Sequence, residues 1–144
     1  MVIVDFNRDL HSEGVSSLWK RVFAYKEARN SPGLSIEKKV AVGDGLFFVA
    51  IDEETLRGTV MAGYDGHRGW IYSLAVDPDH RRQGIGSALL DHAERRLSEL
   101  GCVKINLQVL DGNLPAQRFY EAHGFAVEHR VSMGKEVAAN VASG

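Results

Sequence analysis

Trp70-Ile-Tyr-Ser-Leu-Ala-Val-Asp-Pro-Asp-His-Arg-Arg-Gln-Gly-Ile-Gly-Ser-Ala-Leu-Leu90 changes its apolar period half-way through, and that change decides the fold. Trp70 to Val76 is rich in β-formers and ends at Asp77-Pro78, as a strand does. From Gly84 the period becomes helical: Ile85, Leu89, Ala93, Leu97 and Leu100 form one apolar stripe, and Gly101 closes the helix. Val103, Ile105, Leu107 and Val109 then alternate with Lys104, Asn106 and Gln108, which predicts a second strand with one buried face over 103–109. A strand, a crossover helix and a strand make the two strands parallel neighbours.

Upstream, Val2 to Phe6 alternates as a strand, and Val15, Leu18, Trp19, Val22 and Phe23 mark the buried face of an amphipathic helix. Ser31-Pro32-Gly33 breaks that pattern, and Ser35 to Val40 predicts a short second helix before the Gly43-Asp44-Gly45 turn. Leu46–Ile51 and Thr59–Tyr64 are strands joined through Asp52-Glu-Glu-Thr55, and Asp65 to Gly69 leads into Trp70 as an antiparallel meander. Downstream, Asp111-Gly112-Asn113 turns the chain, Pro115 opens a short helix carrying Ala116, Phe119 and Tyr120, and Gly124 ends it before an extended segment at Phe125 and a last short strand near Val131. The expected class is α/β, an α+β mixed sheet, mostly antiparallel with one parallel pair and flanked by about four helices. Without linker or repeat, residues 1–144 read as a single domain whose last stretch, 135–144, is a frayed tail.

Composition narrows the functions. The formal charge of −2, from 17 basic and 19 acidic residues, supplies no field for nucleic acid or anionic membrane, so any anion site is local. The single cysteine, Cys102, makes no internal disulfide, the histidines show no metal-ligand spacing, and no apolar run approaches membrane-spanning length. The expectation is a cytoplasmic protein with no metal, no nucleic acid and no membrane partner.

Arg81-Arg82-Gln83-Gly84-Ile85-Gly86 lies between a strand end and a helix start, where several backbone N–H groups lack helical partners and the dipole is positive. Glycines at 84 and 86 let an anion approach the backbone, and the two arginines add charge-assisted donors. The chain has no G-x-x-x-x-G-K-[ST], which excludes a P-loop. Gly84-Ile-Gly86-Ser-Ala-Leu89 lacks the third glycine of the dinucleotide fingerprint, and its strand belongs to a meander.

Leu74-Ala-Val76-Asp-Pro78, Arg81-Arg-Gln-Gly-Ile-Gly86 and Ala88-Leu-Leu90 together resemble the acetyl-CoA-binding core of the GNAT N-acetyltransferases. Asn113, Ala116 and Phe119-Tyr-Glu-Ala-His-Gly-Phe125 are similar to the family's second coenzyme segment, in the same order, and Gly63 to Gly69 resembles the hairpin of a bacterial single-domain branch. The resemblance implies the GNAT fold, in which the two parallel strands splay apart and acetyl-CoA, as co-substrate, enters between them. By the same resemblance, backbone groups of Leu74, Ala75 and Val76 pair with the pantetheine arm. Arg81, Arg82, Gln83, Gly84, Ile85, Gly86 and Ser87 surround the pyrophosphate, with the amides of Arg82 to Ser87 as its cradle. A strand N–H near Val76 polarises the thioester carbonyl, a role worth roughly 2.7–4 kcal/mol where the donor is well aimed. Tyr120 matches the tyrosine that protonates the leaving thiolate, with packing of its short helix as the other role open to it. Asn113 either bonds the coenzyme or caps its helix.

The implied activity is acetyl transfer to a primary amine by direct attack in a ternary complex, the acceptor being a protein N-terminus or a small molecule. Some relatives carry a glutamate where this chain has Gln108, which takes no proton, so deprotonation of the amine falls to water or to a group near the slot such as Tyr72, His67 or Asp65. The lack of an obvious base keeps open a second reading, a non-catalytic acyl-CoA sensor. An exposed final strand pairing with that of a second copy would give a homodimer.

Overall fold

The computed structural model describes residues 1–23 and 31–138. Its elements run β1 (Val2–Asp5), α1 (Arg8–Val22), α2 (Pro32–Val42), β2 (Phe47–Asp52), β3 (Thr55–Tyr64), β4 (Gly69–Val76), a 3-10 turn (Pro78–His80), α3 (Ile85–Glu99), β5 (Ile105–Leu107) and α4 (Leu114–Ala122). These fall into two compact units, Met1–Gln108 and the chain from Val109 onward.

In the first unit the sheet order is β1-β2-β3-β4-β5, antiparallel except for the parallel β4–β5 pair, as the α/β reading expects. Alternation along the strands gives the sheet two buried faces. Phe47, Val49, Met61 and Ala75 pack with Val15, Leu18 and Trp19 of α1 and Ile36 of α2. The alternate positions meet α3: His92 sets its ring edge against Phe48 at 4.6 Å, and a Cβ on Gly58 would stand 2.8 Å from Leu89 and 3.0 Å from Ile85. Asn7 caps α1 by accepting from Asp9 and Leu10 N–H, and Ser31 caps α2, with Pro32 in its first turn, so α2 starts earlier than its apolar pattern suggests.

Further expectations are corrected. The β2–β3 hairpin turns on two residues, Glu53 and Glu54, both left-handed (φ 49° and 63°), which lets Asp52 pair directly with Thr55. Leu90 replaces Leu100 on the buried stripe of α3; Leu100 is 55% exposed because it lies beyond the last helical turn. The strand expected over 103–109 is only Ile105–Leu107, with Val103 in solvent and Cys102 buried: its partner β4 begins at Gly69, opposite Ile105, and bulges away after Ile71, opposite Leu107.

The second unit holds α4, capped by Asn113 and ended by Gly124 in the left-handed region (φ 91°). Among its described residues 125–138 no strand forms: Val127, Val131 and Met133 are exposed, so the alternation there marks no buried face. Of the tail expected at 135–144, residues 139–144 lie outside the described residues.

Candidate active site

The register of β3 against β4 shifts by one residue between Thr59, which faces Ala75, and Met61, which faces Tyr72. The extra residue on β4 is accommodated at Ser73, whose φ of 53° lies in the left-handed region. A non-glycine residue holds that conformation only where its surroundings fix it. Here the fixing group is Thr59, fully buried, whose hydroxyl donates to the Ser73 carbonyl at 3.0 Å and accepts from Trp19 Nε1 at 2.8 Å. Trp19 and Thr59 read from sequence as ordinary core and strand residues; no local signal in the sequence marks them as a bulge anchor.

The bulge opens the sheet. β5 pairs with Gly69, Trp70 and Ile71 and no further, while β4 continues to Val76 with β3 as its partner. Asp77 N–H donates to the Arg57 carbonyl of β3 at 2.8 Å, so by strand alternation Ala75 also faces β3, and the peptide groups of Leu74 and Val76 turn the other way, into the gap. Leu74 and Val76 thus present main-chain donors and acceptors along an edge that no strand of the described residues pairs with, the arrangement an extended ligand can join as a strand.

Asp77 closes β4 and begins the connection to α3. It is 3% exposed, accepts from Arg21 Nη1 at 3.2 Å, Arg57 Nη1 at 3.0 Å and Asp79 N–H at 3.0 Å, and has His80 Nδ1 at 3.5 Å. Burial on its own raises the carboxyl pKa, but the Asp79 amide and the two guanidiniums outweigh it and hold the group well below the usual carboxylate range. This carboxylate ties α1, β3 and the turn together, and sequence reasoning passed over it as a strand terminator.

After that anchor the chain makes two left-handed steps, Arg82 (φ 64°) and Gly84 (φ 80°), and enters α3. Gly84 offers no side-chain cap and the first turn of α3 contains no acidic residue, whereas α1 has both. The positive end of the α3 dipole therefore has neither a side-chain cap nor a first-turn carboxylate among the described residues. Arg81, Arg82 and Gln83 are exposed beside it, and among the described residues neither arginine forms an ion pair. Leu74, Ala75, Val76 and Arg81 to Ser87 all belong to this one continuous passage of the first unit. An uncapped helix start, glycine at the cap and two uncommitted guanidiniums fit a pyrophosphate chemically.

In the second unit, the Asn113 side chain accepts from Ala116 N–H at 3.3 Å, the capping role. Tyr120 is half-buried on α4, its ring edge-on to Phe119 at 5.2 Å and to Phe125 at 5.8 Å, and burial pushes its phenol pKa up. Asp65 is committed to its own turn: it accepts from Arg68 and His67 N–H at 2.7 Å each, and these bonds lower its pKa. Gln108 directly follows β5.

The profile of the Acetyltransferase (GNAT) family matches residues 12–125. The chain belongs to the GNAT acetyltransferase family. Among solved structures, Ard1 from Thermoplasma volcanium is 25% identical, with a TM-score of 0.78 over 88% of this chain and 83% of that one. The ribosomal-protein-S18-alanine N-acetyltransferase from Escherichia coli is 24% identical, with a TM-score of 0.67 over 85% and 76%. AAC(6')-Iy, solved with the bisubstrate analogue CoA-S-monomethyl-acetylneamine, is 18% identical, with a TM-score of 0.75 over 95% and 98%. The last two likenesses show the fold alone. The GNAT chain described here is an acetyltransferase by family.

Proposed function

We propose that this GNAT protein transfers acetyl from acetyl-CoA to a primary amine by direct attack in a ternary complex. The observation that carries the reading is the Ser73 bulge, which ends β4–β5 pairing at Ile71 and turns the Leu74 and Val76 peptide groups into the gap. In this reading the pantetheine arm joins β4 along Leu74, Ala75 and Val76. Its pyrophosphate lies at the start of α3, bonded by the amides from Arg82 to Ser87 with Arg81, Arg82 and Gln83 around it. Asn113 adds a coenzyme contact in addition to its cap.

The amine nitrogen attacks the thioester carbonyl carbon, and the carbonyl electron pair moves onto oxygen, where the Val76 N–H stabilises it. Collapse re-forms the carbonyl and breaks the C–S bond. The sulfur takes the Tyr120 proton, water removes the surplus proton from nitrogen, and the phenol is reprotonated from solvent. A phenol whose pKa is raised by burial is fully protonated at neutral pH, as a proton donor must be. Acceptors at this level are amines of small molecules or protein N-termini.

The test is CoA release from acetyl-CoA over a panel of peptides, polyamines, amino acids and aminoglycosides. Tyr120→Phe lowers kcat by about 100-fold, the smaller end of general acid–base effects, with acetyl-CoA affinity unchanged. Turnover retained in that variant removes Tyr120 from the mechanism. Acetyl-CoA binding without turnover of any amine supports the sensor reading instead.

A further inference from the structure

Lys39 of α2 is 8% exposed, an unusual place for an ammonium group, and all three of its protons are committed. Nζ donates to Asp44 Oδ2 at 2.9 Å, to the Ala62 carbonyl of β3 at 2.5 Å and to the Tyr72 hydroxyl at 3.1 Å. Asp44 is fixed in turn by accepting from Leu46 N–H at 3.0 Å. A second feature serves the same phenol oxygen. Gly63 sits inside β3, where glycine weakens a strand, and a Cβ there would come 3.0 Å from Tyr72 Oη. A buried lysine and a strand glycine therefore both position one oxygen.

Tyr72 itself is 42% exposed. Because its oxygen accepts from Lys39, its own proton must go elsewhere. Among the described residues the hydroxyl donates to the Ala62 carbonyl at 3.4 Å, a long bond to an oxygen that also accepts from Lys39 at close range. At 42% exposure, the hydroxyl can exchange that long bond for a shorter one to an acceptor oxygen. Tyr72 is also the first residue of β4 beyond the β5 pairing, directly before the Ser73 bulge, and it shares with Met61 the sheet face that α1 and α2 cover. The start of α3 lies on the opposite face. A donor seated at α3 and an acceptor coming from the α1–α2 face would meet in the gap that Tyr72 borders.

We propose that Tyr72 is a specificity-determining residue for the acceptor. Its hydroxyl, set by Lys39, Asp44 and Gly63, exchanges the long Ala62 bond for one to an oxygen near the reacting amine. The favoured acceptors are amines with a carbonyl or similar oxygen beside the amino group, as in an α-amino acyl unit, over plain alkylamines. The Lys39–Asp44 pair is neutral as a whole, so the cluster reads an acceptor oxygen by hydrogen bonding and does not demand a charge. This rests on the acetyl-CoA reading of the gap.

The experiment measures kcat and KM for alaninamide and for sec-butylamine, in wild type and Tyr72→Phe, with acetyl-CoA affinity followed separately by calorimetry. Tyr72→Phe deletes one oxygen and keeps the ring, so the fold is retained. Wild type prefers alaninamide. In the variant the preference, as a ratio of kcat/KM, falls about tenfold through KM, while kcat and acetyl-CoA affinity stay put. Gly63→Ala, which crowds the hydroxyl, shifts the ratio in the same direction. An unchanged ratio in Tyr72→Phe overturns the proposal and leaves the acetyl-CoA reading standing, as does acetyl-CoA binding without turnover of either amine. A wild-type protein that binds no acetyl-CoA overturns both.

Discussion

Thr59 and Asp77 each hold one end of the short β4 segment on which the proposed chemistry depends. Thr59 passes a hydrogen bond from Trp19 to the Ser73 carbonyl. Thr59→Val keeps the shape and strands the buried Trp19 N–H, a loss of about 1–3 kcal/mol, and frees the bulge. The expected result is a fall in urea stability together with weaker acetyl-CoA binding, both restored in Thr59→Ser; a Val variant with full affinity would separate the bulge from the coenzyme. Asp77 acts through charge. Its folded carboxyl titrates below its unfolded value of about 3.9, so the stabilisation it provides is complete above that pH and is lost as pH falls toward the folded value. Asp77→Asn costs about 3 kcal/mol at pH 7, and the gap to wild type narrows below about pH 3.9 in urea titrations. A constant gap down to pH 2 would mean that the aspartate's charge plays no part.

Between strands and helices, the reason for what sequence could and could not show is the range of the interactions involved. The α3 stripe of Ile85, Leu89, Ala93 and Leu97 is a local period and the turn at Asp65 a local cluster, both read from the chain, whereas Ser31, the cap of α2, read as a break before a later helix. The Arg82–Gly84 entry into α3 was equally readable because glycines and arginines at a strand-to-helix junction have few structural uses. The bulge was not readable from local pattern. Trp70 to Val76 looks like an uninterrupted strand, and the residue that breaks its register is fixed by Thr59, fourteen positions away. The resemblance supplied a splay of the two parallel strands, with no residue named as its cause. The end of β5 at Leu107 follows from the bulge: a parallel partner ends where its neighbour turns aside, whatever the apolar Val109 suggests. Lys39 was hidden for a related reason, since a lysine at the end of an amphipathic helix reads as solvated until a carboxylate, a carbonyl and a phenol surround it.

Over the whole molecule, a net charge of −2 leaves no general attraction for a polyanion such as CoA. In the proposed reading, affinity for its phosphates comes from the start of α3, which has neither an acidic first-turn residue nor a side-chain cap. The most direct measurement is calorimetric titration of acetyl-CoA into wild type and Gly86→Asp. An aspartate in the first helical turn suits the dipole, so the helix and the thermal stability are kept or improved, while its carboxylate repels a pyrophosphate at the same amides. The account predicts micromolar-range binding in wild type, on the order of −8 kcal/mol, and at least a tenfold loss in Gly86→Asp at unchanged Tm. Equal affinity in the two proteins, or no binding in wild type, would contradict the claim that this turn cradles the coenzyme phosphates.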